Sequence, residues 1–175
     1  MLTQTCPKHG RALLIVDAQV AMLADPPQGV PEAEAVKANI QCILAAARDA
    51  TPPPPDRARW ELVWPPLPGE PVIDKHKNNA FAGTRLAELI PNDAEIVVVG
   101  LQSDFCIRAT CSAALGRGNE VLLIRGAHAT YDRHEVWAGG GVTPASFIER
   151  DIESELEEAG VALLDMTDVP GVFDR

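Results

Sequence analysis

Four short apolar runs recur along this chain, and they constrain its fold more than any other feature. They are ALLIVD (Ala12 to Asp17), EIVVVG (Glu95 to Gly100), EVLLIRG (Glu120 to Gly126) and VALLDM (Val161 to Met166). Such runs, bounded by Gly, Asp or Pro, are the mark of a strand covered on both faces. Helical patterns separate them. In PEAEAVKANIQCILAAARDA, Pro31 is expected as the first helical residue, with Val36, Ile40, Ile43 and Leu44 on one side. In TPASFIERDIESELEEAG, Thr143 is expected as the cap with Pro144 next. Phe147, Ile148, Ile152 and Leu156 form the buried stripe, and Gly160 is the stop. Strands alternating with helices predict a three-layer α/β fold, a doubly wound and mainly parallel sheet with helices on both faces.

The length of 175 residues and a hydrophobic content of 46% predict one domain over residues 1–175. A formal net charge of −10 argues against a nucleic-acid partner and against an anionic membrane surface, since both need a positive face. No window approaches the ~20 uncharged apolar residues of a membrane helix. The apolar run that Asp17 interrupts is too short for a signal-peptide core, so a cytoplasmic location is expected. Cys6, Cys42, Cys106 and Cys111 show neither CxxC spacing nor a neighbouring histidine pattern, which predicts no metal, no cofactor and no disulfide framework. Cys42 and Cys111 read as small buried hydrophobes. Residues 51–71 form a proline-rich irregular segment carrying Trp60 and Trp64, read as an extended surface connection. The two indoles are alternatively anchors of a subunit contact, and a homo-oligomer, a dimer or larger, is expected.

Parallel sheets place their sites outside the carboxyl ends of their strands. Asp17 ends the first run, Lys75 follows PVID, and Cys106 follows EIVVVG through a short turn, so three reactive side chains fall at one edge of the sheet. In LQSDFCIRATCSAALGRG, Ser103 or Asp104 is expected to cap a helix that Gly116 or Gly118 ends, which puts Cys106 in the first turn. Unpaired amides and the positive end of the helix dipole favour a thiolate there, and the same amides can hold a developing oxyanion. Asp17 would accept the thiol proton and return it to a leaving amine, with Lys75 compensating the charge. The bland alternatives are a buried thiol, a strand-end carboxylate and a solvated lysine; only their combination points to catalysis. His9, His76, His128 and His134 show no spacing that nominates one of them as a base.

The stretches ALLIVDAQ, VIDKHKNNAFAGTRLAEL and VVVGLQSDFCIRATCSAALGRGNEVLLI, in this order, resemble the isochorismatase-like cysteine hydrolases, the superfamily that includes nicotinamidases and N-carbamoylsarcosine amidohydrolase. GAHAT and the last strand-helix-strand continue the match. The resemblance implies an Asp17–Lys75–Cys106 triad, Lys75 being preferred to Lys77 because it stands six positions before Phe81 of NAF. It implies a cis peptide at Leu101–Gln102, an oxyanion hole from the amides of Gln102 and Cys106, and substrate contacts from Gln19, Phe81 and Phe105. The implied activity is hydrolysis of a C–N bond of a small amide-like substrate through an acyl-enzyme on Cys106.

The chain also departs from the family pattern. Members usually follow the first helix with a strand, and here that strand is missing. Either ELVW (Glu61 to Trp64) fills the gap or the next strand closes up by about 4.8 Å, which would displace Lys75. The Asp expected before AHAT is Gly126. These departures keep open a catalytically impaired member acting as a binding or assembly module. A redox-responsive thiol is a further alternative, with Cys111 poorly placed as a resolving partner.

Overall fold

The computed structural model describes residues 11–48, 62–135 and 140–173. In chain order these contain β1 (Arg11–Val16), α1 (Ala33–Arg48), the short α2 (Leu86–Leu89) and β2 (Glu95–Leu101). A π-helical turn (Ser103–Ile107) and α3 (Arg108–Arg117) follow, then β3 (Glu120–Ala129), β4 (Arg133–His134), β5 (Val142–Thr143), α4 (Ala145–Ala159), β6 (Ala162–Leu164) and α5 (Val169–Val172). The four apolar runs are β1, β2, β3 and β6, and they form one all-parallel sheet in the order β1-β2-β3-β6.

Alternation along each strand divides the core into two layers. Val97, Val99 and Leu101 of β2 join the cluster under α1 and α5, while Ile96 and Val98 join the cluster under α2, α3 and α4. Both sets are fully buried, so β2 is the apolar spine of the sheet, with β1 and β3 registered against its two edges. Helix α1 turns Ala33, Val36, Ile40, Ile43 and Leu44 inward, and α4 turns Ile148, Ile152 and Leu156 inward. Gly118 and Gly160 adopt left-handed conformations at the ends of α3 and α4, where a side chain would be strained.

The chain differs from the sequence expectations in several local ways. Helix α1 begins at Ala33, not Pro31, because Glu32 takes a left-handed conformation (φ 60°) and the helical path starts only after it. Thr143 belongs to β5, where its hydroxyl donates to Glu135. The N-terminal amide of α4 at Ala145 donates instead to Asp132 Oδ1 at 2.8 Å, so a loop aspartate does the work of the cap. Cys42 is exposed on α1 rather than buried, since it faces away from the Ile40 and Ile43 stripe, whereas Cys111 is buried.

The missing strand is resolved in neither of the two expected ways. Of ELVW, Leu62 makes one antiparallel bridge to Gln19, and Val63 donates to the carbonyl of Ala18 at 3.1 Å. Trp64 is 5% exposed and packs in the cluster under α1, so it belongs to this chain's own core and is no free anchor for a subunit contact. Residues 71–75 run without a ladder, so the stretch PVID is not a strand of the described sheet, and a groove of about 950 Å³ separates it from β1. Trp60 lies outside the described residues.

Candidate active site

The carboxyl ends of two neighbouring strands, β1 and β2, converge on one point. β1 delivers Asp17, which takes a left-handed backbone conformation (φ 49°) immediately after Val16. β2 delivers the Leu101–Gln102 peptide, which is cis, and then the turn that holds Cys106. Val16 is registered against Gly100, and the two backbones approach so closely that a Cβ on Gly100 would sit 1.9 Å from the Val16 carbonyl oxygen. Only glycine fits there, and that contact sets the spacing between the carboxylate and the thiol.

Lys75 reaches the same point from the irregular segment. Its ammonium lies 2.7 Å from Asp17 Oδ2 and 3.2 Å from Cys106 Sγ, so one cation bridges both groups. The lysine stays in place without a strand beneath it because its loop is tied to α3. Thr110 accepts the Ala80 amide at 3.1 Å and donates to the Asn78 carbonyl at 3.3 Å. Thr110 is fully buried. It stands four residues after Cys106, on nearly the same side of the turn, a spacing legible in the sequence but overlooked there. Asn78 was also overlooked. Its Oδ1 lies 3.9 Å from the Cys106 sulfur, and no sequence spacing marks it.

The electrostatics differ from the expectation of a resting thiolate. Burial pushes the Cys106 thiol up, contact with Asp17 pushes it further, and Lys75 opposes both without reversing the direction. The helix-start argument fails here because the turn is π-helical, and Cys106 lies half-buried within it instead of at the exposed mouth of a regular α-helix. Burial alone would lower the Lys75 ammonium, but its contacts with Asp17 and Cys106 outweigh burial and raise it. The site therefore rests as a thiol beside an Asp–Lys pair, with the proton still on sulfur. Cys111, sealed in the core of α3, is pushed up to about 12 by burial.

Neither Ser103 nor Asp104 caps the helix through its side chain. The Ser103 hydroxyl lies 2.9 Å from His128 Nδ1, and Asp104 accepts from Thr130 Oγ1 and Arg133 Nη2, each at 2.6 Å. Gln19 lies along the groove beside β1. Phe105 is 51% exposed and lines a separate cavity with Asp104, Arg108 and Arg133, not the groove that holds Asp17 and Lys75. Phe81 is partly buried, with its ring 4.3 Å beneath the Arg117 guanidinium at the far end of α3. Among the described residues, no cluster of three or more His, Cys, Asp or Glu is placed to hold a metal ion, and no helix is long and apolar enough to cross a membrane.

The chain has similar sequences and folds among known proteins. A streptothricin hydrolase of Streptomyces noursei is 34% identical over 161 residues, which is 82% of this chain and 64% of that protein, so this chain spans less than two thirds of its relative's length. The structure of an isochorismatase from Pseudomonas putida KT2440 superposes with a TM-score of 0.75 at 25% identity, covering 94% of this chain and 91% of that one. A cysteine hydrolase from Pseudomonas syringae pv. phaseolicola shares the fold, with a TM-score of 0.78 at 18% identity over 92% and 91% of the two chains. The sequence pattern of the Isochorismatase domain matches residues 11–139, from the first residue of β1 to beyond β4, and the chain belongs to the isochorismatase family.

Proposed function

We propose that this protein is a cysteine hydrolase that cleaves the C–N bond of a small amide through a covalent acyl-enzyme on Cys106. The observation that carries this reading is the position of the Lys75 ammonium, 2.7 Å from the Asp17 carboxylate and 3.2 Å from the Cys106 sulfur. A separated lysine would instead have favoured a binding module that had lost turnover.

The chemistry follows from the resting protonation state. As the Cys106 sulfur attacks the substrate carbonyl carbon, its proton passes to Asp17 and the carbonyl π electrons move onto oxygen. The amides of Gln102 and Cys106 are the intended donors to that oxyanion. Collapse breaks the C–N bond, Asp17 gives its proton to the leaving nitrogen, and a thioester remains on Cys106. Water then attacks the thioester carbonyl, Asp17 takes a water proton, and collapse expels the sulfur, which recovers the proton as the acid departs. Lys75 stays charged throughout and stabilises whichever of its two partners carries negative charge. A raised thiol suits this cycle, because the proton that Asp17 needs for the leaving amine is delivered by the attack itself.

Because a relative carries the name streptothricin hydrolase, streptothricin belongs in the first substrate set. The test is single-turnover incubation with a panel of small linear and cyclic amides, acid quench and peptide mass spectrometry. An acyl adduct on the Cys106 peptide, absent in Cys106→Ser, supports the proposal. Amide turnover that persists in Cys106→Ser would overturn it.

A further inference from the structure

The turn that carries Cys106 is held from below by residues that the triad does not use. Strand β3 bulges as it passes β2. Leu123 is registered against Val98, but His128 is registered against Gly100, so five residues of β3 advance while β2 advances two. Gly126 permits the bulge with a left-handed conformation (φ 72°), and Asn39 pins it by donating to the Gly126 carbonyl at 2.7 Å. The extra length carries His128 to the end of β2, directly beneath the turn.

His128 is 2% exposed and Ser103 is fully buried, and their Nδ1 and Oγ atoms lie 2.9 Å apart. On the opposite side of the ring, Nε2 faces Glu153 Oε1 at 3.3 Å, close enough for charge but without the alignment of a hydrogen bond. Burial raises the Glu153 carboxyl, yet His128 and Arg125 outweigh it and hold it below the usual carboxylate range. Glu149 stands close by on α4 and accepts the Thr130 amide at 3.0 Å. An imidazole flanked by Glu153 on one side presents its other nitrogen to Ser103, three residues before the thiol.

We propose that His128 is a positioning residue: its Nδ1 contact with Ser103 fixes the π-helical turn in the orientation that presents Cys106 to Lys75 and Asp17. The inference rests on Cys106 being the nucleophile. The same turn is clamped through Asp104 by Thr130, just after β3, and by Arg133 of β4, so the GAHAT stretch together with β4 acts as a bracket under the nucleophile. His128 is too deeply buried to touch substrate.

The test compares the native protein with His128→Leu, Ser103→Ala and His128→Asn, the last of which restores a polar atom near the Nδ1 position. Native-state iodoacetamide labelling is read separately at Cys106 and at the exposed Cys42, and a crystal structure of each variant gives the Lys75–Cys106 distance. We expect His128→Leu and Ser103→Ala to slow Cys106 labelling at least tenfold while Cys42 is unchanged, with the Lys75–Cys106 contact lengthened and His128→Asn recovering most of the rate. A merely structural histidine would lower the unfolding midpoint and leave the ratio of Cys106 to Cys42 labelling unmoved. An unmoved ratio, or an unchanged Lys75–Cys106 contact in His128→Leu, overturns the inference. Failure of the nucleophile reading has a different signature: amide turnover persisting in Cys106→Ser, whatever the His128 variants do.

Discussion

Replacing Gly100 with alanine should dismantle the site without touching a reactive side chain. The added Cβ would lie 1.9 Å from the Val16 carbonyl oxygen, where an ordinary carbon–oxygen contact is about 3.3 Å, so the ends of β1 and β2 must part by roughly 1.4 Å. Gly100 also has φ 119°, a conformation an alanine adopts only with strain. Strained backbone and overpacking each cost about 1–3 kcal/mol, which puts the loss of stability at roughly 2–6 kcal/mol. Asp17 is bonded directly to Val16 and moves with it, so its 2.7 Å contact with Lys75 opens. A displacement of about 1 Å in a catalytic group costs on the order of a hundredfold in rate, and the loss of amide turnover should be at least that large. Urea denaturation reads the first effect; turnover and Cys106 labelling below the denaturation transition read the second. A Gly100→Ala protein with the wild-type midpoint and turnover would refute the claim that this close approach sets the geometry.

Three further outcomes are expected. Gly116 lies on the exposed side of α3 with nothing within 4 Å of a Cβ, so Gly116→Ala should raise stability by about 0.5–1 kcal/mol in the same titration and leave Cys106 labelling unchanged. Thr110→Val removes the acceptor for the Ala80 amide and the donor to the Asn78 carbonyl, both beside the core. It should cost about 1–3 kcal/mol and lower kcat more than KM rises, whereas Thr110→Ser should retain most of both. The Glu153 carboxyl is lowered in the folded protein, so it contributes stability above its unfolded pKa of about 4.3 and loses it as pH falls through the folded value. Unfolding midpoints of Glu153→Gln should therefore fall less steeply on acidification than those of the native protein.

Much of this molecule was legible in its sequence. The apolar runs give all four strands of the main sheet, because a strand buried on both faces leaves its mark within half a dozen residues. Asp17 and Cys106 were legible for a related reason, since the carboxyl ends of parallel strands bring reactive groups to one edge, whereas Lys75 reaches that edge from a segment that is not the strand expected before it. What the sequence hid is set by geometry that residue types do not encode. The π-helical turn gives Ser103 and Asp104 partners other than helix amides, and burial in that turn reverses the direction expected for the Cys106 thiol. The bulge that brings His128 under Ser103 depends on a register shift between β2 and β3, which no periodicity announces. The absence of a strand before Trp64 was visible, but not that a single buried threonine on α3 would hold the lysine loop in its stead.

The most direct test of the central claim is the rate of Cys106 alkylation as a function of pH, resolved by peptide mass spectrometry, in the native protein, Asp17→Asn and Lys75→Ala. Asp17 raises the thiol and Lys75 lowers it, so the two substitutions must move the profile in opposite directions. The account predicts a native midpoint above the ordinary thiol value of about 8.5, a lower midpoint in Asp17→Asn and a higher one in Lys75→Ala. A profile that neither substitution moves, or one in which both move it the same way, would contradict the assembly of these three residues into one catalytic unit.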